Sequence, residues 1–337
     1  MLLRQGDGTI PCNAGIDQLA WDAGLCAHRE RLAAAAARCP NVGFGMPAGR
    51  GRTAQETVTD RWGCVWLYNQ TASDGQCVRA PLATWDAWRD YEMPDPDAYH
   101  DWEALRADFR RRRAAGELAS VGVEHGFLYL RLTYLRGFAA LLEDVADRSD
   151  ALLELLDRMT AFWTRVAERM ADLEPDFVGF PDDLGMQHSL PMSPESWRAL
   201  LKPAYRRIFG VMRDAGIPVH MHTDGYIVDI IPDLIECGVG VLNPQDLVNG
   251  LDALERLAKG RTSIELDIDR QSITVFGTPD DVRRHIAFCA ERLGSPTGGL
   301  ALLYGAYGGT PVENVEAVLL GMQENHDRWT RLLPIAD

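Results

Sequence analysis

No apolar run in this 337-residue sequence reaches the roughly 18 residues a helix needs to cross a bilayer. The opening MLLRQGDGTIPCNAG also lacks an apolar stretch of signal-peptide length, so the expectation is a cytoplasmic protein without membrane attachment. Positive charge is in deficit, with 34 Lys and Arg against 49 Asp and Glu and a formal net charge of −15. A surface of that sign repels phosphate backbones and anionic lipid headgroups, which excludes nucleic acid and membrane surfaces as partners. The seven cysteines, Cys12, Cys26, Cys39, Cys64, Cys77, Cys237 and Cys289, include no C-x-x-C pair and no zinc-finger spacing. An odd, scattered set suits reduced thiols better than a disulfide framework. Glycine-rich phosphate loops of the G-x-G-x-x-G or P-loop kind are missing, as are internal repeats and low-complexity segments.

What is present is alternation. From Asp101 onward, helix-period segments alternate with short apolar runs about every 25 to 40 residues. Helices are expected over 102–115, 141–172, 193–214, 227–237, 251–259, 279–293 and 311–332. Strands are expected over 119–123, 176–180, 217–222, 240–243, 262–267 and 300–304. Repeated β-α units with crossover lengths imply a parallel sheet. Six or seven countable units favour a (β/α)8 TIM barrel over an open doubly wound sheet. The first hundred residues are less regular: a helix over 19–37, a strand over 41–46, and a hairpin from Asp60 to Arg79 that reverses through Ala72-Ser-Asp-Gly75. Five of the nine tryptophans fall between Trp62 and Trp102, the composition of a lid or rim. The organisation expected is therefore 1–100 as an N-terminal extension packed on a barrel of 101–337, together one domain.

Polar residues collect at the C-terminal ends of successive strands, the end at which such barrels keep their sites. In Ile217-Pro-Val-His-Met-His-Thr-Asp-Gly225 the period-2 pattern puts His220 and His222 on one face and delivers Asp224 at a turn. His222-x-Asp224 reads either as a ligand pair or as a packed histidine beside a helix cap. Of the adjacent Asp182 and Asp183 only one can readily enter a pocket, as general acid, base or cation partner. A capping role is the alternative, and Gln187 adds a neutral hydrogen-bonding group. His125 is an acid/base candidate or a packed ring. Glu265 and Asp267 share a strand face and need partners, either a metal or His222 on one reading, or Arg261 or Arg270 on the other. Tyr304 and Tyr307 flank a glycine-rich loop, lining a pocket or stacking in the core. Asn243 and Gln245 are substrate-binding candidates at a strand end.

The ordered set of segments Asp182-Asp-Leu-Gly-Met-Gln187, Gly216-Ile-Pro-Val-His-Met-His222-Thr-Asp-Gly225, Leu242-Asn-Pro-Gln245, Asp269-Arg-Gln271, Phe276-Gly-Thr-Pro-Asp-Asp281 and Thr310-Pro-Val-Glu-Asn314 resembles the uroporphyrinogen decarboxylase superfamily. The likeness runs over about 120–325 and is nearer to the corrinoid-linked methyltransferases than to the decarboxylase. Arg50 and Arg52 are poor counterparts of the decarboxylase's N-terminal arginine motif. The thiol-activating methyltransferases hold zinc on a His-x-Cys turn and a second Cys. Here His222 matches the histidine, Asp224 stands at the first cysteine and Tyr304 falls near the second.

That resemblance implies a methyl group moved from a small O-, N- or S-methyl donor to a corrinoid (cobalamin) on a separate protein. His222, Asp224 and Glu265 would be ligands of Zn2+ or another divalent ion. Replacing thiolates by carboxylate makes such a site harder, suited to polarising oxygen. Asp183, His125 and Tyr304 become catalytic candidates, with Gln187, Asn243, Gln245 and Tyr307 for substrate binding. The alternative is a decarboxylase or other lyase working by metal-free acid/base chemistry.

Overall fold

A computed structural model describes residues 8–49, 55–69 and 75–329. The chain folds as two units, one of Met1–Glu56, Tyr68–Gly75 and Asn243–Asp337, the other of Thr57–Leu67 and Gln76–Leu242. Most of the expected turn at 72–75, and both Arg50 and Arg52, lie outside the described residues.

The first unit opens with β1 (Cys12–Ile16), α1 (Gln18–Ala23), α2 (Arg29–Ala37) and β2 (Val42–Gly45). β1 has no counterpart in the expected pattern, because Cys12-Asn-Ala-Gly-Ile is too short and small-residued to stand out from a loop. It pairs in parallel with β2, Cys12 opposite Val42. The second unit begins with the strands β3 (Glu56–Thr59), β4 (Val65–Tyr68) and β5 (Gln76–Arg79), ordered β3-β4-β5. The strand expected from Asp60 starts only at Val65. The carboxylate of Asp60 accepts from the amides of Trp62 and Cys64, both at 2.9 Å, and holds a tight turn there.

Then follow α3 (Trp102–Ala114), β6 (Ser120–Gly122), α4 (Tyr129–Arg136), α5 (Phe138–Asp147), α6 (Asp150–Ala171), β7 (Phe177–Gly179), α7 (Pro194–Asp214), β8 (Val219–Thr223), α8 (Ile231–Cys237) and β9 (Val239–Pro244). One helix was expected over 141–172. The chain breaks it at Arg148, which takes a left-handed φ of 51°, and α6 restarts behind Ser149. Along α6, Leu152, Leu155, Leu156, Met159, Trp163, Val166 and Met170 are buried at helical spacing. The hydroxyl of Ser193 caps α7 by accepting from the Ser196 amide at 3.1 Å, and Pro194 occupies the first turn.

The chain returns to the first unit with α9 (Asp246–Asn249), α10 (Leu251–Leu257), β10 (Ser263–Asp267), α11 (Ile273–Phe276), α12 (Pro279–Leu293), β11 (Leu300–Ala306) and α13 (Val312–His326). A capping box of Thr278 and Asp281 starts α12. Eight strands run in the order β2-β1-β11-β10-β9-β8-β7-β6, a parallel α/β sheet of the kind the alternation implies. All seven cysteines are free. Among the described residues no helix is long and apolar enough to cross a membrane.

Candidate functional site

Three short parallel strands of the second unit build the site. β6 pairs with β7, Val121 opposite Val178, and β7 with β8, Val178 opposite Val219. Their hydrogen bonding continues past the strand ends. The Phe180 amide donates to the His220 carbonyl at 2.8 Å, Asp182 to His222 at 3.0 Å and Gly185 to Asp224 at 3.2 Å. The loop after β7 is thus laid along the turn after β8. Glycine is required where they touch: a Cβ on Gly225, whose φ is +83°, would stand 2.3 Å from the Gly185 carbonyl carbon.

The two adjacent aspartates part company. Asp182 is fully buried. Its carboxylate accepts from the amides of Leu128, Tyr129 and Leu130 at 3.2, 2.6 and 3.0 Å, and from the Tyr205 hydroxyl at 2.6 Å. It therefore caps the N-terminus of α4, with burial lifting its pKa to about 6. Asp183 turns the other way. Its Oδ1 lies 3.2 Å from His125 Nε2 and 3.8 Å from His222 Nε2, and accepts from the Asp224 amide at 3.0 Å. His222 Nε2 is also 3.4 Å from Asp224 Oδ1. The rings of His125 and His222 are 5.9 Å apart.

Electrostatics binds the cluster. The hydrogen bond to Asp183 raises the pKa of His125 against the opposing cost of desolvation. Burial alone would raise Asp183, yet its bond from His125 and the facing imidazoles bring it below the ordinary carboxylate range. His125 is half exposed, whereas Asp183 and His222 are mostly covered. One ligand atom each from His125, Asp183 and His222 lies within 4.8 Å of the others, a spacing a divalent cation can bridge.

Around His125 stands a network that single-residue reading of the sequence does not reveal. Arg131 is buried and donates to Asp60 Oδ2 at 2.6 Å and to Glu124 Oε1 at 3.0 Å. Trp62 Nε1 donates to the same Glu124 oxygen at 2.5 Å, and Trp66 Nε1 to Asp60 Oδ2 at 2.9 Å. The Tyr134 ring packs on Gly126, where a Cβ would meet its Cε2 at 3.2 Å, and meets Trp66 edge to face at 4.7 Å. Asp60-Arg-Trp-Gly-Cys was the available signal for the first part. Arg131, in the amphipathic run Tyr-Leu-Arg-Leu-Thr-Tyr-Leu-Arg, carried none.

Gln187 is exposed on the loop after β7. The remaining candidates belong to the first unit. Asn243 is buried and donates to the Glu265 carbonyl at 2.6 Å, and Gln245 is buried with its carbonyl accepting from Asn249 at 2.9 Å. Glu265 is half-buried on β10. Asp267 pairs with Arg270 at 3.0 Å, the ion-pair reading of that strand. The Arg270 guanidinium lies 4.7 Å over the ring of Tyr307. Tyr304 is buried, which raises its pKa.

The chain is similar to a methyltransferase from Methanosarcina mazei at 17% identity, covering 95% of this chain and 94% of that one with a TM-score of 0.59. It is also similar to a B12-independent methionine synthase from Shewanella sp. W3-18-1 in complex with selenomethionine, at 10% identity, 83% and 75% coverage and a TM-score of 0.45. The first likeness is one of fold. No curated protein matches the chain. The family profile described as uroporphyrinogen decarboxylase (URO-D) matches residues 75–324, which include every strand from β5 to β11 and the whole His125–Asp183–His222 cluster. The chain belongs to the uroporphyrinogen decarboxylase family.

Proposed function

We propose that the chain is a methyltransferase of the demethylase type, moving a methyl group from a small O-, N- or S-methyl compound to a corrinoid carried by a separate protein. In this reading the eight strands, β1 and β2 among them, close into a (β/α)8 barrel, and an N-terminal rim is confined to residues 56–100. The observation that supports the chemistry is the convergence of His125, Asp183 and His222, with Asp224 beside them. Two imidazoles and a carboxylate without thiolate make a donor set that fits a divalent ion of the zinc class and favours oxygen as the activated atom. His125, Asp183 and His222 would hold that ion, which supplies Lewis acidity toward the leaving atom of the methyl donor.

The protein's own residues carry the remaining work. When the methyl–oxygen bond breaks, its electron pair stays on oxygen and a proton must follow. In the ion-free form His125, whose charged state Asp183 favours, is the proton source; with its Nε2 on the ion it acts as a ligand and gives no proton. Asp183 is itself fixed by the Asp224 amide, so the imidazole is aimed before substrate arrives. Tyr134 packs on Gly126, next to the acid in sequence, while the acid itself stays half exposed to incoming substrate. Tyr304 enters the proposal as a further catalytic candidate, Gln187, Asn243, Gln245 and Tyr307 as substrate-binding candidates, and Asp224 and Glu265 as further ligand candidates.

The test is methyl transfer to reduced free cobalamin from a panel of methyl ethers, methylamines and methyl thioethers, with zinc measured in the same preparation. Wild type should form methylcobalamin and hold metal that His222→Ala loses together with activity. A second reading, a decarboxylase or other lyase, rests on the His125–Asp183 pair being a complete acid without any ion. Protein indifferent to chelators that releases carbon dioxide from a carboxylated substrate would replace the first reading by the second.

A further inference from the structure

The first unit contains a second convergence of ligand atoms, which the proposed reaction does not use. His285 and Cys289 are four apart on α12, so both side chains leave the same buried face of the helix. Asp246, the first residue of α9, meets them. Asp246 is 1% exposed, His285 9% and Cys289 is buried. His285 Nε2 lies 2.6 Å from Asp246 Oδ2, Cys289 Sγ 3.5 Å from the same nitrogen and 4.0 Å from the same oxygen.

This is not a nucleophile relay. A Cys-His-Asp relay places thiol and carboxylate on opposite ring nitrogens, and here Nε2 alone faces both. The thiol is also buried away from any substrate. As it stands the trio is joined by hydrogen bonds, Nε2 to Asp246 Oδ2 and the thiol donating to the same oxygen at a long 4.0 Å, so the Cys289 contact is the weak member.

We propose that Asp246, His285 and Cys289 form a buried structural site for a zinc-class divalent ion that ties α9 to α12. Bond lengths to tetrahedral zinc put nitrogen and oxygen ligands roughly 3.3 Å apart and either of them roughly 3.6 Å from sulfur. The imidazole–thiol spacing already matches. The two spacings that do not, one short and one long, share Asp246 Oδ2. A shift of that one oxygen, on a carboxylate whose Oδ1 accepts from the Leu247 amide, would have to bring both to ligand spacing. Charge closes as well: a thiolate and a carboxylate neutralise the dication, so no net charge is left in the interior. On binding, the thiol gives up its proton to solvent and the neutral imidazole changes tautomer, its one hydrogen moving to Nδ1, which frees the Sγ and Nε2 lone pairs for the ion. A thiolate among the ligands selects zinc or cobalt over magnesium or calcium.

The experiment is cobalt substitution of the full-length protein. The His125–Asp183–His222 cluster contains no sulfur, so a near-ultraviolet sulfur-to-cobalt charge-transfer band reports on Cys289 alone among the metal-ligand clusters of the described residues. The band is expected in wild type and in the double variant His125→Ala/His222→Ala. In Cys289→Ser it should vanish, together with one equivalent of zinc per chain. A cobalt-loaded wild type without the band, or a band that survives Cys289→Ser, overturns the proposal. The wild-type spectrum decides even where a variant does not fold, and it does so whether or not the first cluster binds metal.

Discussion

Asp182 and Asp183 are adjacent in sequence and opposite in consequence. Asp182 satisfies three backbone amides and the Tyr205 hydroxyl from a fully buried position. Asp182→Ala strands those donors in the interior, and urea unfolding should show a loss of about 3 kcal/mol. Asp183→Asn leaves the fold nearly untouched, since the His125 pair is half exposed and contributes about 0.5 kcal/mol. Its effect is on protonation. The folded pKa of His125 is raised, so its stabilisation is complete below the unfolded value of about 6.5 and is lost as pH climbs through the folded one. Asp183 is depressed, so its share is present above about 3.9 and is lost as pH falls through its folded value. The difference in melting temperature between wild type and Asp183→Asn should therefore be widest between these limits and shrink in alkali. In turnover, Asp183→Asn should move the limb assigned to His125 toward lower pH, read from kcat/KM profiles. The sequence already singled out His222, Asp224, Asp183 and His125 as polar residues after strands. It could not say which aspartate points inward, because that depends on where the amides of α4 stand, and no local signal records their position.

At the scale of elements, the loop after β7 and the turn after β8 act as one piece. Gly225→Ala forces a side chain into the Gly185 backbone at a positive φ. It should cost about 3 kcal/mol in denaturant unfolding and abolish metal retention by the His222 cluster. The Asp60 turn and α4 are joined by Arg131. Removing it in Arg131→Met leaves Asp60 and Glu124 facing each other without their cation, and the expected loss is about 3 to 5 kcal/mol by the same measurement. Asp60→Asn should be milder, since one charge of the repelling pair goes with it. The helix boundaries that the sequence announced were those with chemical markers, such as Ser193-Pro194 and Thr278-Pro279. The break at Arg148 had none: a left-handed residue there is imposed by the packing of α5 and α6, whereas the apolar periodicity runs through it.

For the whole molecule, the formal charge of −15 carries one direct consequence. The protein should show no retention on DNA or heparin at physiological ionic strength, and retention there would contradict the reading of its surface. The alternation of β-α units, the reduced cysteines and the polar strand ends were all legible in the residues, because each is a short-range pattern of period, turn chemistry or spacing. So was the family, through an ordered set of segments. β1 was not legible, since a five-residue strand of small side chains is defined by the neighbours it pairs with. Nor was the company each polar residue keeps. His125 and Asp183 are 58 positions apart, and Asp246 and His285 are 39 apart. Their meeting depends on strand order and crossover packing, which long-range burial decides, and a linear pattern of residue types carries no measure of that distance.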